Sequence, residues 1–277
     1  MTALSNLNAE LKQLANVKEY PVNFTLQNGQ IREGVLVLPA GMAYPPQNQP
    51  LIVWQEGGPG GSMFSFWANQ VERPFALLPH FNYPLLIVPL SGRYGYGPQT
   101  YNALYDNNNF GATDIDELAE IANQTVTKGW TSRGRIGITG CSYGGYFTLQ
   151  SVIRHPDLYA AANPQCALVD NIVEWTRGYQ SLMPYIQGLP PWSNLEEYRR
   201  DSPIYNTDRI KTPVLTFQGT EDFLPITLGE NVHNQIWNRG VPAKMVKFLG
   251  DGHGLSRDDY QIYAAQEQLI WFRTYLR

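Results

Sequence analysis

Residues 135–150 read RIGITGCSYGGYFTLQ, and this stretch decides the fold. An apolar run that suits a strand leads directly into Gly140, and a run that suits a helix follows Gly145. A serine placed two residues from a glycine on either side, between a strand and a helix, forms a nucleophile elbow. The strained turn crowds those two neighbours, which explains Gly140 and Gly144. The sequence therefore predicts that Ser142 is a nucleophile.

Short apolar strands and amphipathic helices alternate along the rest of the chain. Runs that are apolar on both faces, as buried parallel strands are, lie at residues 51–54, 85–88, 136–139, 214–217 and 245–249. Helices are predicted at residues 114–128, 143–154, 226–239 and 258–275, with Thr113 capping the first. A hairpin pairs residues 22–26 with 34–38 around Asn28-Gly29. This alternation predicts an α/β fold, a mostly parallel sheet that opens with an antiparallel hairpin.

We predict one domain over residues 21–277 and a helical arm over residues 1–20. Leucines in the arm recur at spacings of three and four, at Leu4, Leu7, Leu11 and Leu14. That stripe suits packing on the arm's own domain or against a partner subunit, so a homo-oligomer is possible. Residues 170–194 are rich in aromatic side chains and predict an excursion that covers apolar core.

Composition narrows the class of protein. A 277-residue chain that is 43% hydrophobic and 13% aromatic is not disordered. A net charge of −4, with no basic run longer than Arg199-Arg200, argues against nucleic acid as a partner. The sequence has neither an N-terminal signal-peptide pattern nor a run of 18 apolar residues, so we expect a soluble, cytoplasmic protein with no membrane partner.

Cysteine and metal chemistry is not expected. Cys141 and Cys166 make no disulfide framework and no metal spacing, and no cofactor motif is present. Cys141, beside the elbow serine, is a candidate thiol catalyst, but its position before the nucleophile favours a packed residue.

A serine nucleophile needs a base and a group that orients the base. Of the four histidines, His253 lies in a glycine-rich loop after a strand, where α/β sheets carry catalytic groups. Asp222 follows the strand at 214–217 and comes between serine and histidine, as the hydrolase chain order requires. Its neighbour Glu221 is the rival. We predict Ser142, Asp222 and His253 as the triad.

Other site residues follow from the needs of acyl transfer. The backbone N–H of Tyr143 is one expected donor to the oxyanion, and the glycine loop after residues 51–55 offers Gly57 and Gly58 as others. Trp175 and Tyr179 either line a substrate pocket or pack in the core. Glu56, at the start of the glycine loop, is a candidate for binding a substrate's free amino group.

From about Val22 to its end, the chain resembles the α/β-hydrolase domain of the prolyl oligopeptidase family of serine peptidases. The resemblance rests on short motifs along the chain: residues 57–59, 94–97, 135–145, 202–203, 213–225, 252–254 and 271–272. The Ser-Tyr-Gly-Gly form of the elbow is the most specific of them. The resemblance implies the α/β-hydrolase fold and cleavage of peptide or aminoacyl amide bonds through an acyl-enzyme, with Ser142 as nucleophile, Asp222 as orienting group and His253 as base.

Three departures from the family pattern accompany this resemblance. About 20 residues precede the hydrolase domain, where family members usually carry a β-propeller, so the sequence either lacks one or is part of a longer chain. Glu56 stands where the family commonly has His or Tyr. Ser91 stands where it has Arg, with Arg93 two places later.

We therefore expect an enzyme that acts on a small peptide or ester. The alternatives are a carboxylesterase, a thioesterase or an acyl transferase with the same triad, or a binding protein built on a hydrolase fold.

Overall fold

The computed structural model describes residues 17–61, 63, 74–105, 110–177 and 183–276. Their strands form one eight-stranded sheet in the order β1-β2-β4-β3-β5-β6-β7-β8. The strands are β1 Lys18–Thr25, β2 Ile31–Leu38, β3 Leu51–Gln55, β4 Leu85–Ile87, β5 Ile136–Cys141, β6 Ala161–Gln165, β7 Val214–Gly219 and β8 Ala243–Phe248. The pairs β1-β2 and β2-β4 are antiparallel, and the pairs from β4 through β8 are parallel.

Helices cover both faces of this sheet. In the described residues they are α1 Gly97–Asn102, α2 Thr113–Thr127, α3 Tyr143–Arg154, α4 Asn171–Arg177, α5 Met183–Gln187, α6 Leu195–Arg200, α7 Ile226–Asn238 and α8 Asp258–Tyr275. Short 3-10 segments lie at Pro74–Phe81, Pro203–Tyr205 and Thr207–Arg209. None of these helices is both long enough and apolar enough to span a membrane.

The two faces of the sheet bury separate apolar clusters, which explains the unbroken apolar strands. In β3, Leu51 and Val53 point into the cluster under α2, α3 and α7, whereas Ile52 and Trp54 point into the cluster under α8 and the 3-10 segment Pro74–Phe81. Side chains of a strand alternate between faces, so a strand covered on both sides has no polar positions to spare.

Most predicted elements are confirmed, with α3 and α8 found at the predicted residues. The strand β6 was not predicted, because Ala161–Gln165 contains a proline and no β-branched or aromatic residue. It forms because β5 and β7 pair with it on both sides. The predicted cap at Thr113 is wrong, since the N-cap is Ala112 and no side chain caps α2.

The remaining sequence expectations concern the arm and the excursion. Lys18 to Tyr20, expected in the helical arm, begin β1 instead, and residues 1–16 lie outside the described residues. The excursion forms α4 and α5, and the buried side chains of Met183 and Ile186 join the apolar core.

Candidate active site

Ser142 occupies a tight turn between β5 and α3. Its backbone has φ 62° and ψ −121°, a conformation that a non-glycine residue rarely adopts. Strand β3 passes directly beneath this turn. A Cβ atom would lie 2.4 Å from the Gln55 carbonyl oxygen at Gly140 and 2.1 Å from it at Gly144. Both glycines are therefore required by close packing, and the sequence prediction of the elbow has a direct structural reason.

Asp222 and His253 meet at the carboxyl end of the sheet. Asp222 follows β7 and His253 follows β8, and these strands are parallel neighbours. His253 Nδ1 lies 2.9 Å from Asp222 Oδ1, and the Asp222 side chain is fully buried. The same oxygen accepts the Leu224 N–H at 2.9 Å, which fixes the carboxylate. The rival residue Glu221 is exposed.

This hydrogen bond has a consequence for the imidazole. When Nδ1 donates to a carboxylate, the other ring nitrogen, Nε2, is left to exchange a proton with a nucleophile. The Phe223 ring lies against the imidazole, with centroids 4.2 Å apart. Ser142 and His253 line the same cleft. The geometry can therefore support general base catalysis on the serine hydroxyl.

The other histidines have different surroundings. His155 Nε2 lies 2.8 Å from Asp116 Oδ1, beside the ion pair of Asp116 with Arg154. Burial lowers the pKa of His233 in α7. His80 is exposed at the end of a 3-10 segment.

The glycine loop packs against the nucleophile. A Cβ atom on Gly57 would lie 3.3 Å from Ser142 Cβ, so the loop backbone reaches Ser142. The Gly57 N–H donates to Glu56 Oε1 at 2.8 Å. Gly57 therefore does not offer its N–H to a substrate oxygen in this structure, contrary to the sequence expectation. The N–H groups of Gly58 and Tyr143 remain as candidate donors, and Tyr143 begins α3, where N–H groups have no partner within the helix.

A buried polar cluster supports this loop, and its central residue, Arg93, has no role predicted from the sequence. The Arg93 guanidinium donates to the Gly57 carbonyl oxygen at 2.5 Å and to the Glu56 carbonyl oxygen at 2.6 Å. The Tyr143 hydroxyl donates to Asp114 Oδ2 at 2.7 Å. Burial raises the pKa of Asp114 to about 7, although the Tyr143 hydrogen bond and the Arg93 charge oppose the rise.

Ser91 stands where the resembled family has an arginine, and it contacts the guanidinium of Arg32 in β2. The Ser91 hydroxyl donates to Glu117 Oε1 at 2.7 Å, and Arg32 of β2 donates to both Ser91 and Glu117. Arg32 and Glu117 form a buried ion pair. These two residues lie 85 positions apart, so no local sequence signal links them.

Two clefts open beside Ser142. The larger has a volume of about 560 Å³ and is lined by His253, Glu56 and the glycine loop. The smaller has a volume of about 80 Å³. Its described walls are mostly apolar: Phe110, Leu168, Met183, Ile186, Phe223 and Leu224. His253 is among the lining residues of the larger cleft and not of the smaller one.

A disulfide forms part of the larger cleft, contrary to the sequence expectation that Cys141 and Cys166 make no disulfide framework. Cys141 at the end of β5 is bonded to Cys166, which directly follows β6, and their Cα atoms are 5.4 Å apart. Adjacent parallel strands bring the two residues together, since Cys141 pairs in register with Gln165. Cys141 is therefore not available as a thiol nucleophile in this form.

Of the two predicted pocket aromatics, Trp175 is not at the clefts described above. Trp175 packs against the apolar core, and its ring meets that of Trp192 edge-on at 4.6 Å. The described residues that line the two clefts do not include Trp175. Tyr179 lies outside the described residues.

Comparison with known proteins identifies the family of this site. Residues 69–277 match the model of the prolyl oligopeptidase family, which covers more than half of the chain. The chain belongs to this family. The acylamino-acid-releasing enzyme from Arabidopsis thaliana is 28% identical over an alignment of 240 residues, which covers 82% of this chain and 30% of that enzyme. The chain thus spans about a third of the length of the curated relatives it matches.

Solved structures of the family share the fold. Puromycin hydrolase superposes with a TM-score of 0.83 at 22% identity, over 93% of this chain and 39% of that one. Pyrococcus horikoshii acylaminoacyl peptidase gives a TM-score of 0.83 at 21% identity, over 100% of this chain and 44% of that one. The α/β-hydrolase fold implied by the sequence is confirmed.

Proposed function

We propose that this chain is a serine peptidase that cleaves amide bonds of small peptides or aminoacyl amides through an acyl-enzyme. The observation that carries the proposal is the hydrogen bond from His253 to the buried Asp222 carboxylate, in the cleft that Ser142 also lines. Ser142 Oγ attacks the carbonyl carbon while His253 takes its proton. His253 then gives that proton to the leaving amine, and water releases the acyl group by the same route. The N–H groups of Tyr143 and Gly58 donate to the oxyanion.

The two clefts support a proposal for the two sides of the substrate. The leaving amine must lie next to His253, because this residue protonates it. His253 lines the larger cleft, so the leaving group occupies that cleft. The acyl residue's side chain then enters the smaller apolar cleft on the other side of Ser142. We expect a substrate with a compact apolar side chain on the acyl side and a leaving group of larger size.

Glu56 acquires a role from this arrangement. It lines the larger cleft, on the leaving-group side. Its negative charge should favour a leaving group that carries a positive charge, and not the amino group on the acyl side that a simple aminopeptidase would bind. We therefore propose for Glu56 a preference on the other side of the scissile bond, and the aminopeptidase preference suggested by the sequence stays a prediction.

The relatives support amide substrates. They are named for release of acylamino acids, and one solved acylaminoacyl peptidase is in complex with Z-Gly-Gly-Phe-chloromethyl ketone. For this chain we propose the same class of bond, with the acyl residue apolar.

A fluorophosphonate probe tests the nucleophile. The wild type should be labelled and Ser142→Ala should not, while a matched Ser256→Ala variant should be labelled as the wild type is. Labelling that survives Ser142→Ala would remove Ser142 from the mechanism.

Paired substrates test the bond and the sides. Leucyl and phenylalanyl p-nitroanilides should be cleaved, and lysyl and glutamyl p-nitroanilides should be poor substrates because a charge would enter the apolar cleft. Activity on p-nitrophenyl esters with none on anilides or peptides would show an esterase instead. Peptides with lysine or norleucine after the scissile bond test the role of Glu56. The wild type should cleave the lysine peptide faster than the norleucine peptide, and Glu56→Gln should lose only that preference for lysine.

A further inference from the structure

Two of the departures from the family sequence pattern meet in space. Glu56 begins the glycine loop and Arg93 lies in the turn before α1, yet the Arg93 guanidinium donates to the backbone carbonyls of Glu56 and of Gly57. Arg93 is only 1% exposed. A buried guanidinium must be matched by acceptors, and here two of the acceptors are backbone oxygens of the loop that touches the nucleophile.

Those hydrogen bonds fix the direction of the next N–H groups. The peptide between Gly57 and Gly58 is trans, so its C=O and N–H point in opposite directions. With the Gly57 oxygen held by Arg93, the Gly58 N–H faces away from the guanidinium. Gly58 has φ 132°, and a Cβ atom there would lie 3.1 Å from Arg93 Nη1. Only glycine fits this backbone beside the guanidinium.

The same guanidinium contacts the residue that carries the second donor. The Arg93 Cζ atom lies 5.5 Å from the centre of the Tyr143 ring, a cation–π contact. The Tyr143 hydroxyl is anchored by Asp114, which is 1% exposed. Arg93 thus touches both the loop that carries the Gly58 N–H and the side chain whose backbone N–H follows Ser142.

We propose that Arg93 is a positioning residue that sets the separation of the two oxyanion donors, with Asp114 fixing Tyr143 on the other side. The inference rests on the proposed acyl transfer at Ser142, because only that chemistry creates an oxyanion there. Lysine cannot replace this function, since its ammonium is a point donor and lacks the planar fork that reaches two carbonyls at once.

The test compares Arg93→Lys with Arg32→Lys. Both variants lose a buried guanidinium. Within the described residues, however, the hydrogen bonds of Arg32 go to Glu117, Ser91, Gln30 and Ile31 and not to the glycine loop. We expect Arg93→Lys to lower kcat by roughly 10²- to 10³-fold, as loss of an oxyanion donor does, with KM within about twofold. Arg32→Lys should lower the melting temperature and leave kcat within about twofold of the wild type.

A peptide aldehyde gives the decisive reading, because its adduct with Ser142 carries the oxyanion. The affinity of the aldehyde should fall with kcat in Arg93→Lys. The affinity of the corresponding peptide amide, which is not cleaved and forms no oxyanion, should stay constant. If Arg93→Lys loses kcat but keeps aldehyde affinity, or keeps both, the positioning role is wrong. If Arg93→Lys does not fold, Tyr143→Phe provides the same comparison, since it keeps the backbone and removes the hydroxyl that Asp114 holds. We expect roughly a tenfold loss of kcat and of aldehyde affinity there, and unchanged values would overturn the inference.

Failure of this inference is distinguishable from failure of the proposed function. A wild type that no fluorophosphonate labels would remove the acyl transfer itself. A wild type that is labelled at Ser142, with Arg93 variants of full activity, would remove only the role of Arg93.

Discussion

We predict the contribution of the Cys141–Cys166 disulfide to the stability of the fold. It joins two residues that are 25 positions apart and lie at the ends of neighbouring strands. Reduction of this bond, or the double substitution Cys141→Ala with Cys166→Ala, removes a covalent constraint on the unfolded chain. The fold itself keeps its paired strands in both cases, so we expect a folded but less stable protein.

The size of the effect follows from the closed segment of chain. Closing a loop of 25 residues removes conformational entropy from the unfolded state worth about 3.5 kcal/mol at 25 °C. For a chain of 277 residues, that free energy corresponds to a fall in melting temperature of about 6 °C. Buried alanines at the two positions should add only a small further loss.

Urea unfolding with and without dithiothreitol provides the assay. The oxidised wild type should be more stable than the reduced wild type by about 3.5 kcal/mol. The free energy of unfolding of the double variant should equal that of the reduced protein and should not change when dithiothreitol is added. Alkylation followed by mass measurement under denaturing, non-reducing conditions counts the thiols independently. Two free thiols in aerobically purified protein, or equal stability of the oxidised and reduced wild type, would refute the reasoning.

Three further predictions concern individual carboxylates. Asp222→Asn should lower kcat by about 10⁴-fold because the carboxylate no longer holds the His253 imidazole in the required tautomer. Glu221→Gln should leave kcat within about twofold of the wild type. Comparable losses in both variants would contradict the assignment of Asp222 as the orienting group. Burial disfavours the charge of Asp116, but hydrogen bonds from its paired histidine and arginine outweigh burial and lower its pKa to about 2. The stabilising contribution of Asp116 is therefore present above the unfolded pKa, 3.8, and is lost as the pH falls towards 2. The free energy of unfolding, measured with urea at pH 5 and pH 3, should therefore change less with pH in Asp116→Asn than in the wild type. Arg32→Met should cost about 3 to 5 kcal/mol because it leaves Glu117 buried and unpaired, and adding Glu117→Gln should recover part of that loss; a double variant less stable than the single one would refute the pairing.

The elements that the sequence predicted best are those with a strong local pattern. The helix α3 follows an elbow whose serine and glycines are compatible with only one backbone conformation. The helix α8 lies at the end of the chain at the residues predicted for it. Asp222 and His253 could be placed because loops after parallel strands meet at one edge of the sheet. The Asp222–His253 hydrogen bond in the structure agrees with that reasoning.

The features that the sequence missed depend on distant contacts. The disulfide could not be predicted because β6 was not, and without β6 nothing places Cys166 beside Cys141. Arg93 looked like one residue of a glycine-rich turn, and only the folded chain shows its guanidinium under the loop that begins at Glu56. The aromatic character of Trp175 left a pocket and core packing equally open, and the structure packs its ring against the core and Trp192.

The prediction of a cytoplasmic protein is still a prediction, and the disulfide bears on it. Disulfides persist in oxidising compartments and are rare in the cytosol, where thiols are kept reduced. The thiol state of Cys141 and Cys166 in protein taken directly from cells is therefore the measurement that tests it.

The unequal sizes of the two clefts also bear on the fate of the proposed acyl-enzyme. Once the first product leaves, the cleft of about 560 Å³ beside His253 is open to any nucleophile that fits, and an amine placed there is activated by the same imidazole as water. Added amines should therefore compete with water for the acyl group. The ratio of transfer product to hydrolysis product should rise linearly with amine concentration, and it should rise more steeply for larger cationic amines, which the cleft beside Glu56 accommodates.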